Sequence, residues 1–140
     1  MESNFGKDIL TKKNFFGFKK RKKLNLNNRL YNKEMGGGAI LDLGCYPVSF
    51  STLIASLVSS IDYDKVQVFD KKKEIGSTGV DLDSYASLRF ENGFTSKISA
   101  SFTKNLGKQT KILGDKGQLI IEDTWTGKTK KIFIKKNKEN

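Results

Sequence analysis

The stretch Ser84–Phe102, SYASLRFENGFTSKISASF, decides the fold. It alternates apolar and polar residues on both sides of Asn92-Gly93. Ala86, Leu88 and Phe90 share one face of the first half; Phe94, Ile98, Ala100 and Phe102 share one face of the second. A period of two marks a half-buried strand, and Asn-Gly supplies the positive φ angles of a tight hairpin turn. Two antiparallel strands with one face on a core are therefore predicted. The opposite face carries Tyr85, Ser87, Arg89, Thr95, Lys97 and Ser99, a mixed polar and aromatic surface suited to a self-associating sheet.

More strands are expected on either side. Lys108–Leu113 and Gln118–Glu122 flank Gly114-Asp115-Lys116-Gly117 as a second hairpin. Lys128–Ile134 reads as a last strand, before a frayed polar tail at Lys135–Asn140. Upstream, Lys65–Phe69 (KVQVF) reads as a short strand and Gly76–Gly79 as a loop. Ile9–Phe18 (ILTKKNFFGF) reads as a strand, followed by the basic run Lys19–Lys23 and an Asn-rich loop at Asn25–Met35.

A helical unit lies between. Past the flexible break Gly36-Gly37-Gly38, Ala39–Tyr46 and Pro47–Ser59 read as helical. Leu41, Val48, Phe50, Leu53, Ile54, Leu57 and Val58 recur at three- and four-residue spacing, which predicts an apolar face turned to the core. Proline breaks a helix interior, so a kink is expected, or a restart with Pro47 in a first turn. Strand, helical unit and a five-strand meander make an α+β fold: an open, mostly antiparallel sheet with helices packed on one face. No repeat or boundary divides the chain, so residues 1–140 read as one domain.

Composition removes several functions. The net charge is +11, but arginine occurs only at Arg21, Arg29 and Arg89. Arginine is the residue of bidentate phosphate and base recognition, so a lysine-borne charge argues against sequence-specific nucleic-acid reading. There is no histidine. That excludes a Ser-His-Asp triad, a histidine zinc site and histidine phosphotransfer, and no metal site is expected. Cys45 is the only cysteine, so no intramolecular disulfide forms; with no histidine to activate it, a buried inert thiol is expected. The N-terminal residues lack the basic start and apolar run of a signal peptide, and Val48–Val58 is too short to span a bilayer. A cytoplasmic protein with no membrane partner is expected.

Gly36–Phe50, GGGAILDLGCYPVSF, resembles the opening of the C-terminal domain of the glucose–fructose oxidoreductase / inositol dehydrogenase / MocA (Gfo/Idh/MocA) family, in its dihydrodiol and sugar dehydrogenase branch. Asn28-Arg29-Leu30, Gly79-Val80-Asp81, Phe90-Glu91-Asn92-Gly93, Ala100-Ser101-Phe102 and Ile112–Leu119 fit the same pattern in the same order. The resemblance implies a substrate and oligomerisation domain. In the family a separate N-terminal Rossmann domain holds NAD or NADP and supplies a Glu-Lys-Pro segment with the catalytic lysine. Neither a G-x-G-x-x-G turn nor Glu-Lys-Pro is present in this sequence. The chain is thus expected to be an incomplete C-terminal domain that binds no cofactor alone, with NAD or NADP implied for the intact enzyme. The family domain also usually runs past the position of Asn140, into a final strand and helix.

The resemblance also implies a site. Asp42 and Tyr46 stand four apart, one turn on a helix, where many family members have Asp-x-x-x-His facing substrate and nicotinamide. A tyrosine hydroxyl can donate to a substrate oxygen or relay a proton, and Asp42 can accept from a substrate hydroxyl and orient Tyr46. From the residues alone a second reading stands: Asp42 as a partner of the helix dipole and Tyr46 as a core-edge aromatic. Gly37 and Gly38 are expected either to let the backbone pass close to the cofactor or to form a hinge. Arg29 is expected either to contact an anionic group of cofactor or substrate or to lie solvated in its loop. The implied substrate is a sugar-like or dihydrodiol alcohol, and the implied partner a second copy, through the sheet face. A competing reading is a basic polyanion-binding module, with Phe15, Phe16 and Phe18 as a stacking platform beside Lys19–Lys23.

Overall fold

The computed structural model describes residues 1–128 and 131–137. Its strands are β1 (Glu2–Gly6), β2 (Thr11–Lys13), β3 (Lys19–Arg21), β4 (Gln67–Ile75), β5 (Asp81–Arg89), β6 (Thr95–Ser101), β7 (Thr110–Gly114), β8 (Gly117–Ile121) and β9 (Ile132–Lys136). The helical unit is a π-helical turn, Ile40–Gly44, running into helix α1 (Cys45–Val58). Seven strands form one open sheet in the order β4-β5-β6-β1-β7-β8-β9, while β2 and β3 form a separate hairpin. The α+β class holds, with a single α-helix among the described residues and its π-helical entry on one face.

The β5–β6 hairpin forms as its alternation predicts. Ala86 pairs with Ile98 and Leu88 with Ser96, and Gly93 takes φ 83° in the turn. Leu88, Phe90, Ile98 and Ala55 of α1 make one core cluster. Leu10, Tyr31, Ala39, Val80, Leu82, Ala100 and Phe102 make a second under the glycine-rich segment. The β7–β8 hairpin also forms, around Asp115-Lys116.

β1 was not legible. ESNFG has no regular alternation, yet it lies inside the sheet, parallel to β6 and antiparallel to β7. Ser3 is fully buried there and shares a 2.8 Å hydroxyl hydrogen bond with Thr110. The expected meander is thus interrupted by a strand from the start of the chain. That strand satisfies the inner edges of both hairpins.

Several local expectations need correction. The strand expected over Ile9–Phe18 stops at Lys13. Asn14 Oδ1 accepts from the Phe18 N–H at 2.7 Å and Gly17 adopts φ 80°, so Asn14–Phe18 turns and Lys19–Arg21 pairs back on β2. The Asn25–Met35 loop contains two 3₁₀ turns, Arg29–Tyr31 and Lys33–Met35, each capped by an asparagine side chain: Asn28 on Leu30 N–H and Asn32 on Glu34 N–H. This is asparagine's usual role in competing for local backbone donors. The KVQVF strand extends to Ile75 through a bulge after Phe69, where Asp70 holds φ 47°. The last strand begins at Ile132 rather than Lys128 and includes Lys135 and Lys136; Thr129, Lys130 and Lys138–Asn140 lie outside the described residues.

The helix corrects the periodicity argument most sharply. Pro47 does sit in the first turn of α1, as a restart. The face that meets the sheet, however, carries Pro47, Ser51 and Ala55, while Leu41, Leu53, Leu57 and Val58 are more than half exposed. Small side chains let the helix approach the sheet closely. Ser51 donates to the Pro47 carbonyl at 2.6 Å, and its oxygen lies 2.7 Å from the Ser96 hydroxyl, so the polar groups of the contact are satisfied, while Val48 packs beside them on the cluster of Leu88, Phe90 and Ile98.

Candidate functional site

The site begins with the glycines. The N–H groups of Gly37 and Gly38 donate to the carbonyls of Asn32 (2.9 Å) and Leu30 (3.0 Å), folding the segment against the two 3₁₀ turns. A Cβ on Gly37 would stand 2.5 Å from the Arg29 carbonyl oxygen. Gly38 holds φ 120°, and a Cβ there would stand 2.2 Å from Asp81 Oδ1. Asp81, at the start of β5, accepts the Ile40 N–H at 2.9 Å and the Ser84 hydroxyl at 2.7 Å through Oδ2. A carboxylate 41 residues away thus caps the helical unit, in the role an N-cap side chain usually fills locally.

Asp42 lies in the π-helical turn, where its side chain accepts from the Arg29 guanidinium. Arg29 is therefore placed beside Asp42, on the first 3₁₀ turn. Tyr46 turns elsewhere. Its ring is half exposed and packs edge-on against Phe5 of β1, with centroids 5.5 Å apart, and 6.1 Å from Trp125. Trp125 stacks on Phe5 at 5.9 Å, meets Phe50 edge-on, and donates its indole N–H to the Asn4 carbonyl at 2.7 Å. Cys45, Tyr46, Ser49, Phe50, Leu53 and Trp125 line an open cavity of about 520 Å³.

The four-residue spacing therefore does not bring Asp42 and Tyr46 into contact; among the described residues no hydrogen bond joins them. The π-helical turn is the reason. Its wider register ends just before Tyr46, so the two side chains leave the unit toward different neighbours. Cys45 is exposed, a correction to the expected buried thiol. The helix meets the sheet through its small-residue face, which leaves Cys45 at the rim. Gly37 and Gly38 are accounted for by close contacts inside the chain, and their missing Cβ volumes are filled by protein atoms.

Sequence reasoning missed Asp81 and Trp125 as parts of this region. Asp81 had a signal: an acidic residue right after a glycine turn and right before an alternating strand. Trp125 and Phe5 had none, since 120 positions separate them.

The profile "GFO/IDH/MocA C-terminal domain" matches residues 8–120. The chain is 31% identical over 99 residues to trans-1,2-dihydrobenzene-1,2-diol dehydrogenase of Xenopus tropicalis, covering 70% of this chain and 28% of that protein. It is 33% identical over 93 residues to the Xenopus laevis protein of the same name, covering 66% and 26%. It is also 26% identical over 98 residues to dTDP-3,4-didehydro-2,6-dideoxy-alpha-D-glucose 3-reductase of Saccharopolyspora spinosa, covering 69% and 27%. The fold is similar to a crystal structure of an NAD-binding protein from Listeria innocua, with a TM-score of 0.56 and 23% identity over 87% of this chain and 30% of that one. The chain thus spans little more than a quarter of the curated relatives it matches. By the extent of the profile match, with the glycine–Asp81 hub lying inside it, this chain belongs to the GFO/IDH/MocA C-terminal domain family.

Proposed function

We propose that this domain supplies the substrate-side wall of an NAD(P)-dependent oxidoreductase acting on sugar-like or dihydrodiol alcohols, and that it is inactive alone. The observation that carries the reading is the Asp81-anchored helical unit, whose entry carries a partly buried Asp42 and a half-exposed Tyr46. Oxidising a carbinol to a carbonyl removes a hydride and a proton. The nicotinamide accepts the hydride when bound, on a domain whose glycine fingerprint is absent from this sequence. This chain's share is to orient the alcohol and hold its proton. Asp42, kept in place by Arg29, accepts from a substrate hydroxyl, and the Tyr46 hydroxyl contacts the reacting oxygen. The face of β5 and β6 that carries Tyr85, Arg89 and Lys97 forms a homodimer interface in this reading; Arg89 already lies 4.8 Å over the Phe69 ring there.

Ligand-observed NMR on the chain with a trans-dihydrodiol and with inositol-type polyols tests the site, beside NADH titration followed by Trp125 fluorescence. Weak diol or polyol contact is expected, reduced several-fold by Asp42→Asn and by Tyr46→Phe, with no response to NADH. Tight NADH binding would overturn the division of labour. Ligand contact indifferent to both substitutions would overturn the site.

A further inference from the structure

The β2–β3 hairpin projects three phenylalanines into water. Phe15, Phe16 and Phe18 are 99%, 80% and 71% exposed, all within its turn. Behind them the strands carry Lys12, Lys13, Lys19, Lys20 and Arg21, and Lys22 and Lys23 follow; Ile9–Lys23 contains no acidic residue. The register sets Lys12 opposite Lys20 and Lys13 opposite Lys19. Like charges directly opposed across two strands are mutually destabilising. The root, by contrast, is well held. Leu10 is 1% exposed in the core, the Lys22 N–H donates to the Leu10 carbonyl at 2.8 Å, and Arg21 pairs with Glu74 of β4 at 3.0 Å. The arm is thus a hairpin firmly rooted through Leu10, Arg21 and Lys22, with an apolar tip and a cationic collar whose Lys12, Lys13, Lys19 and Lys20 face one another across the register.

We propose that this hairpin docks on an anionic phospholipid surface, its phenylalanines entering the interfacial layer and its lysines meeting the headgroups. The segregation carries the argument. Aromatic side chains at the leading end and cations one step behind match the depth profile of a charged bilayer interface. A single-stranded nucleic acid needs rings whose faces accept successive bases beside a basic track. Here Phe15 and Phe16 stand perpendicular, 88° apart at 5.7 Å, and the only arginine of the arm is engaged by Glu74. This is a peripheral partner that sequence composition alone set aside.

The test is flotation of the full chain with vesicles of phosphatidylcholine alone, and of phosphatidylcholine with on the order of 30% phosphatidylserine, at ~0.15 M salt. At least tenfold stronger association with the anionic vesicles is expected. The F15S/F16S/F18S variant is expected to lose at least tenfold of that association while keeping the far-UV spectrum of the parent. Independently, Phe16→Trp is expected to gain intensity and shift to shorter wavelength on adding anionic vesicles only. Equal binding to both vesicle types, no binding at this salt, or an unchanged Phe16→Trp spectrum would each overturn the proposal. So would displacement of the chain from vesicles by poly(U) that binds through the same phenylalanines.

Discussion

Asp81 Oδ1 occupies the space where a Cβ on Gly38 would stand, while its Oδ2 accepts the Ile40 N–H that opens the helical unit. The glycine and the carboxylate form one device. Gly38→Ala must both adopt φ 120° and displace the carboxylate, so a loss of about 2–4 kcal/mol is expected from backbone strain and the broken cap together. Asp81→Ala leaves the Ile40 N–H and the Ser84 hydroxyl without their acceptor, for about 1–3 kcal/mol. The two effects share one contact, so the double variant should fall short of their sum. Urea midpoints of the four proteins in the cycle measure this.

The helix–sheet contact inverts the usual weight of large and small residues. Ser51→Leu, although it adds apolar surface, is expected to destabilise by about 1–3 kcal/mol because the helix lies too close to β6 for the extra volume. Ile98→Ala should lose about 2–5 kcal/mol through the cavity it opens. Leu57→Ser, at a residue 74% exposed, should stay within ~0.5 kcal/mol. Thermal melts rank the three; a costly Leu57→Ser would mean that the ridge it belongs to is covered in solution.

Acid stability is expected to depend on two turn carboxylates. The hydrogen bond from the Thr11 side chain, with the Leu10 and Thr11 N–H groups, holds Asp8 below the ordinary carboxylate range. The Thr126 hydroxyl and N–H, with Lys108 nearby, do the same for Asp123. Both groups are lowered in the folded state, so their stabilisation is fully present above the unfolded pKa of ~4 and is lost as the pH falls through the folded values. Asp8→Asn and Asp123→Asn should each lower stability between about pH 6 and pH 8, with no change of slope there, and flatten its decline in the acid window. Urea titrations across this range read the slope.

Trp125 is the only tryptophan, which makes the aromatic cluster directly observable. Tyr46→Ala removes one wall of its cavity and should move its emission to longer wavelength as water reaches the indole. The expected loss of stability is only about 1 kcal/mol, since the Tyr46 ring is half exposed. An unchanged emission maximum would mean that the Tyr46–Trp125 contact does not form in solution.

The proposed homodimer has a hydrodynamic test. Sedimentation velocity at tens of micromolar should give twice the chain mass of 15.7 kDa, and Arg89→Glu together with Lys97→Glu should restore the monomer. A monomer for the parent chain would remove the sheet-face interface.

The sequence by itself determined the elements whose signal is local. Asn92-Gly93 and the alternation around it specify the pairing of β5 and β6, though not that β5 begins at Asp81, because hairpin register needs only neighbouring residues. The asparagines at 25–32 and the glycines at 36–38 likewise mark turns through chemistry contained in a few positions. Tertiary structure alone decided the rest. ESNFG became a central strand because two hairpins left complementary edges, and nothing in five residues encodes edges a hundred positions away. The core-facing side of α1 went to Ser51 and Ala55 because close approach to β6 excludes volume, so of the apolar residues that periodicity assigned to the core Val48 packs against it while Leu41, Leu53, Leu57 and Val58 stand outside it. Asp42 and Tyr46 were legible as a pair by spacing, but their partners were not. Arg29 arrives from a 3₁₀ turn, Phe5 and Trp125 from opposite ends of the chain, and Asp81 from across the core to hold the unit that carries them. Spacing along a chain sets which residues are near in sequence; packing density and the satisfaction of buried polar groups set which ones meet.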